Sequence, residues 1–368
     1  MKKRILSCLM ALALCLTLLP ATAQAEDGHT HCICGQTPHV GIGDHTVASQ
    51  ITFDKWLTSG YGIGNALTLY YDEADNISGH SVDQEDGNWL LNGGNYYLRT
   101  DVENYKDFSV VKINHTIVIK DNVTICLNGQ TLESIGENMP VFRVKAGGTL
   151  TLTDCQGNPG KVKHTGDGSG SGVEVESGGT FNMYGGKITG NTAAKGGGVE
   201  VDSGKFNLYG GEIADNKSEG QNGTGGGVYV VGDTFAKSKG TFTMSGGTIS
   251  GNTADSTDGA DGGVGVYNDA EFTMSGGTIS GNTAKGQGGG VGVHSRGTFT
   301  MNGGTIGGTT DGDANKAAKG GGVYVGNNGK FEMNGTQTSV SGNTATNGGG
   351  VYVYSGTFTM NDGTIGGE

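Results

Sequence analysis

Six side chains able to ligate a soft divalent metal crowd into one short stretch: His29, His31, Cys32, Cys34, His39 and His45 fall within 17 residues. Thiolate and imidazole together suit Zn²⁺, so zinc is the cofactor expected if this stretch binds one. The Cys-x-Cys spacing departs from structural zinc patterns, and thiols in an oxidising compartment pair with one another. A disulfide or redox use and a plain leader are therefore the competing readings. A catalytic centre is not expected, because nothing resembling a substrate pocket surrounds the cluster.

Further along, acids and aromatics fall on a recurring Val-x-Val phrase whose middle residue faces outward. Its occupants are Glu174, Glu200, Tyr229, Gly265, Gly292, Tyr324 and Tyr352. The two adjacent acids, Glu174 and Glu200, are expected to be solvated face residues. Tyr229, Tyr324 and Tyr352 form a candidate ligand-binding row, since aromatic faces stack on sugar rings; Tyr also simply favours strands. Asp255, Asp258 and Asp261 place three acids in one turn, and Asp311 and Asp313 add a second acidic turn. Neither matches a calcium loop, and solvated acidic turns are expected. Cys126 and Cys155, 29 residues apart, sit about one repeat from each other. They can bridge if their Cα atoms come within about 7 Å.

The elements that position these groups come from a repeat. Gly-Thr-Phe-Asn-Met at 179–183 recurs around Phe206, Phe242, Phe272, Phe299, Phe331 and Phe358, at intervals of 25 to 36 residues. Before each of these six later phenylalanines stands a Gly run and Val-x-Val: Val199/Val201, Val228/Val230, Val264/Val266, Val291/Val293, Val323/Val325 and Val351/Val353. An Ile-centred segment such as Thr248-Ile249-Ser250 closes most units. Period-two alternation over so few residues marks strands rather than helices. One three-strand unit cannot bury its apolar residues alone, whereas stacked units pair each strand with its equivalents above and below. The expected fold is all-β: a single right-handed parallel β-helix, three-sided, of roughly ten coils. Extra residues fall only in turns (215–227, 253–263, 307–322 and 231–240), which leaves the coil cross-section unchanged. The recurrent Asn191, Asn252, Asn282 and Asn343 are expected to stack into a hydrogen-bonded ladder or simply to suit a turn.

These phrases, with Gly94-Asn95-Tyr96-Tyr97-Leu98, Leu127-Asn128-Gly129 and Gly148-Thr149-Leu150-Thr151-Leu152-Thr153-Asp154, resemble the right-handed β-helix repeats of bacterial surface proteins. Polymorphic outer-membrane adhesins and large surface proteins of gut Firmicutes are the groups in view. The resemblance covers roughly residues 88–368, and similar His/Cys segments precede the β-helix in the second group. It implies a surface or secreted solenoid, but the fold also hosts lyases and hydrolases.

The remaining features bound the function. Residues 1–25 read as an export signal: Lys2, Lys3 and Arg4, an apolar run from Ile5 to Leu19, then Ala23-Gln24-Ala25 as cleavage site. Residues 26–87 read as an N-terminal cap carrying the His/Cys cluster, and 88–368 as the repeat domain, expected to stop mid-coil as part of a longer protein. Glycine supplies 74 of 368 residues without a collagen period, and the net charge is −13. Such a chain repels phosphate, so nucleic acid is not expected as a partner, nor is membrane insertion of the mature chain. Divalent cations or neutral glycans suit the average surface better. Paired-Asp and Gly-His-Gly signatures of pectin hydrolases are missing, and past the signal the arginines are Arg99, Arg143 and Arg296 alone. The expectation is a non-catalytic adhesin, stalk or glycan-binding surface whose partners are host or microbial surface glycans or proteins. A polysaccharide lyase or hydrolase is the alternative. Ice binding through Thr241/Thr243, Thr298/Thr300 and Thr357/Thr359 is third, because Lys205/Asn207, Glu271 and Lys330/Glu332 interrupt the plane.

Overall fold

The computed structural model describes residues 115–366, apart from 258, 259, 309 and 311. Upstream it describes only short strands, among which Trp89–Leu91, Gly94–Tyr97 and Val110–Ile113 pair with the stack, Gln50–Thr52 adds to Gly94–Tyr97 in parallel, and Tyr70–Tyr71 pairs antiparallel with Gln50–Thr52. Most of the signal segment and of the proposed cap lies outside the described residues.

One coil shows how the sequence folds. Val264–Tyr267 forms the first face, a tight corner follows, and Glu271–Ser280 bends through Gly276-Gly277 to make two more faces. Gly277 sits at φ +86°, where a side chain would be strained, so the bend selects glycine. Asn282 then turns the chain into the short strand Thr283–Ala284, and a glycine run leads to the next Val strand. Here Gly290 is required by contact: a Cβ would lie 2.8 Å from Ile306 Cγ2 and 3.1 Å from Asn315 Nδ2. From residue 192 onward the coil thus carries a fourth, two- to four-residue strand beside its three faces.

Equivalent strands pair in parallel and in register, making a parallel β-solenoid. The Val face is a ten-stranded sheet. Nine of its strands, from Ile117–Ile119 to Val351–Tyr354, bound eight turns, about 38 Å at 4.8 Å per rung. The expectation of roughly ten coils also counts the strand at Trp89–Leu91 and the partial last coil. Side chains pointing inward form columns of like residues. Phe181, Phe206, Phe242, Phe272, Phe299, Phe331 and Phe358 stack ring on ring at 4.5–4.9 Å, tilted by no more than 18°. Met183, Leu208, Met244, Met274, Met301 and Met333 make a second column, and the Val and Ile strands supply the others, all in one continuous core.

The asparagine ladder is present and longer than expected. Asn191, Asn216, Asn252, Asn282 and Asn315 each donate Nδ2–H to the Oδ1 of the next, the last to Asn343, at 2.8–3.0 Å. Each Oδ1 from Asn216 upward also accepts the backbone N–H of the asparagine below. Each Nδ2 further reaches a carbonyl of the coil below, Val162 for Asn191 and the core Ile for the others. A buried amide is costly unless satisfied, and this arrangement satisfies each one in turn. Only at the lower end does Asn191 Oδ1 lack a donor.

Candidate functional site

The side chains of His29, His31, Cys32, Cys34, His39 and His45 lie outside the described residues, as do Asp258 and Asp311. The Tyr row is described. Tyr229 and Tyr324 are 4% and 3% exposed, so they do not present open faces to solvent. Gly265 and Gly292 leave a gap between them in register, and two rings from the neighbouring column fill it. The result is a continuous row of rings, Tyr229–Tyr267–His294–Tyr324–Tyr352, with centroids 5.3, 4.5, 5.1 and 5.8 Å apart, the first pair tilted by 43° and the others stacked. Lys195 Nζ covers the lower end, 5.1 Å from the Tyr229 centroid.

Asp261, expected in a solvated turn, is fully buried beneath this stack. Its Oδ2 accepts from Tyr267 Oη at 2.8 Å and Thr224 Oγ1 at 2.9 Å, and its Oδ1 lies 3.1 Å from His294 Nε2. The missing side chains at Gly265 and Gly292 make room for the carboxylate: a Cβ at Gly265 would stand 2.9 Å from Oδ2, and one at Gly292 would overlap Oδ1. Burial, followed by the Asp261 charge, pushes the Tyr267 phenol well above its usual range. Asp255 is instead at the surface, bound by Lys217 at 2.7 Å and Lys285 at 3.5 Å.

Lower on the Val face, Glu174 and Glu200 stand on consecutive rungs. Arg143 Nε holds Glu174 at 2.9 Å. Glu200 is pushed up to about 7, first by burial and then by the Glu174 charge, so it is not the solvated carboxylate expected.

A groove of about 580 Å³ opens at the corner where loop 232–239 interrupts the passage from Val face to Phe face. Asp233 shapes the loop. Its backbone bridges Ser238 at 2.9 Å, and its Oδ1 accepts the N–H groups of Phe235 and Ala236. Phe235, in this loop, is 97% exposed. Lys237, Lys239, Arg296 and Lys330 line the groove with two acids, Asp233 and Asp269, and with Thr298 and Asn328. Arg296 clasps Asp269 through Nε and Nη2 at 2.9 and 2.8 Å, holding that carboxyl below its usual range and leaving Nη1. Lys239 pairs with Glu271. Lys237 and Lys330 form no ion pair among the described residues. The sequence shows the insertion, but the lining comes from several coils and is not legible as a motif.

One trio of metal-type ligands is drawn together among the described residues: Cys126, Asp154 and Cys155. The sulfurs lie 3.2 Å apart. Asp154 Oδ1 accepts the N–H groups of Gly129 and Gln156 at 3.0 and 3.1 Å, and Oδ2 accepts that of Gly160.

The outward Phe-face column reads Lys205, Thr241, Glu271, Thr298, Lys330, Thr357 in register. Charges thus recur at every second rung, and the threonines form no uniform plane. No family model, no curated protein and no solved structure matches this chain.

Proposed function

We propose that this chain is an exported, surface-displayed β-solenoid that binds acidic glycan without turning it over. The observation that carries the reading is the groove under loop 232–239. Four cations meet two acids there, on a chain whose overall charge is −13. Lys237, Lys330 and the outer edge of Arg296 offer donors to carboxylate or sulfate groups. Thr298, Asn328 and the Asp269 carboxylate suit sugar hydroxyls, and Phe235 offers a ring face. The regular coils act as the rigid support, and the adhesin character implied by the surface-protein resemblance belongs to this proposal.

Titration of the folded protein with heparin, hyaluronan and neutral dextran tests the reading. Binding to at least one polyanion and not to dextran is expected, weakening with salt. Lys237→Glu with Lys330→Glu should weaken it about tenfold or more, roughly 1.4 kcal/mol, with an unchanged circular dichroism spectrum. Equal binding of dextran, or no effect of the double variant, contradicts it.

A second reading, glycan hydrolysis, is favoured by Glu174 and Glu200. An acid raised to about 7 beside an Arg-held carboxylate is the division of roles such catalysis needs. Rungs about 4.8 Å apart suit the closer, retaining spacing. Sugar release that disappears in Glu200→Gln would establish it.

A further inference from the structure

We infer that Cys126 and Cys155 close an intramolecular disulfide tying two consecutive coils together. Cys126 ends the strand Asn122–Cys126, and its register partner on the next coil is Thr153. Cys155 follows two residues later, so the solenoid's own stacking brings the thiols face to face, with Sγ atoms 3.2 Å apart. The pair lies apart from the main core in a small cluster of its own. Its surroundings are fixed by hydrogen bonds between the two turns, Gly129 N–H to Asp154 and Gln156 Nε2 to Asn128 Oδ1 at 2.8 Å, and by Gly160 N–H to Asp154 within the second turn.

Zinc fits the trio less well. Asp154 already spends both oxygens on three backbone N–H groups. Two thiolates on one tetrahedral zinc stand about 3.8 Å apart, given Zn–S bonds of about 2.3 Å, which is wider than this contact. A disulfide needs only that the sulfurs close on each other.

The chemistry requires an oxidant of the low-molecular-weight disulfide class, RSSR. Cys155 is the more exposed sulfur and Cys126 is 2% exposed. The Cys155 thiolate attacks RSSR, forming Cys155–S–SR and releasing RS⁻. Cys126 then loses its proton to solvent and attacks the Cys155 sulfur, and the second RS⁻ leaves. Two thiols are oxidised and one RSSR is reduced to two RSH, with the protons passing to the departing thiolates. Burial keeps the Cys126 thiol protonated, so the second step should quicken as pH rises.

The experiment incubates the folded full chain with oxidised and reduced glutathione, quenches with acid, alkylates, and maps the peptides. The expected result is one linked peptide pair joining Cys126 to Cys155, lighter by two hydrogens than the separate peptides. It should be lost on reduction and absent from Cys155→Ser. The oxidised protein should also melt higher than the reduced protein, a difference missing from the Cys126→Ser/Cys155→Ser double variant. Alkylation of both thiols, glutathione left on Cys155, pairing of either with Cys32 or Cys34, or stoichiometric zinc lost on Cys126→Ser would each overturn it. The outcome is independent of whether the groove binds glycan.

Discussion

His294 Nε2 stands 3.1 Å from Asp261 Oδ1, joining two coils through a buried histidine–carboxylate contact on the outer side of the Val face. A carboxylate only accepts, so with Asp261 ionised the proton sits on Nε2. Asp261→Ala removes the acceptor shared by His294, Tyr267 and Thr224, and should cost about 3 kcal/mol in urea unfolding. Gly292→Ala should cost a similar amount while changing no polar group, because its β-carbon would displace the carboxylate. Near-ultraviolet circular dichroism should report loss of the Tyr267 environment in both. Wild-type stability in Gly292→Ala would refute the packing described.

The asparagine ladder predicts a gradient along the rod. Asn252 donates to Ile213 and Asn282 and accepts twice from Asn216, so Asn252→Ala breaks four bonds. A loss of about 3 kcal/mol is expected. Asn343, near the last described coil and only partly buried, should lose less on the same change. Equal effects would mean that the ladder does not transmit stability.

Glu200 makes a signed prediction about pH. Its folded value is raised from 4.5 to about 7, so between these values the folded chain keeps a proton that the unfolded chain has released. The contribution is fully present below about pH 4.5 and is lost as pH rises through 7, by at most about 3–4 kcal/mol. Partial solvent access reduces that figure. Glu200→Gln should flatten this part of the stability–pH curve and be the more stable protein at pH 8. A wild-type curve that rises from pH 5 to 8, unchanged in the variant, would contradict the assignment.

Phe272 and Phe235 should behave oppositely. Phe272→Ala opens a cavity in the ring column and should cost about 3–5 kcal/mol. Phe235→Ala touches an exposed loop and should stay within about 0.5 kcal/mol of wild type while weakening glycan binding.

The stack was legible because its signal is local. Each Phe, Met and Val announces an inward site within five residues, and like residues recur one coil apart. Asn216 and Asn315 escaped because Asp215-Asn216-Lys217 and Ala314-Asn315-Lys316 lack the Gly-Asn-Thr phrase, although backbone register puts them in the same column. Tyr267 and His294 escaped for a different reason. Their burial depends on side chains missing from Gly265 and Gly292 in the adjacent column, a relation between coils rather than along the chain. The same holds for the groove, where Lys237, Arg296 and Lys330 meet only after folding. Net charge is an average over the whole chain, so it does not reveal the local excess of cations at the groove.

The claim at the centre is binding without turnover. Its most direct measurement is the chain length of heparin and hyaluronan recovered after prolonged incubation with stoichiometric folded protein at pH 5 to 8, read by mass spectrometry. Retention of the polyanion by the protein, with an unaltered length distribution, is predicted. Shortened chains or unsaturated ends, abolished by Glu200→Gln, would contradict it.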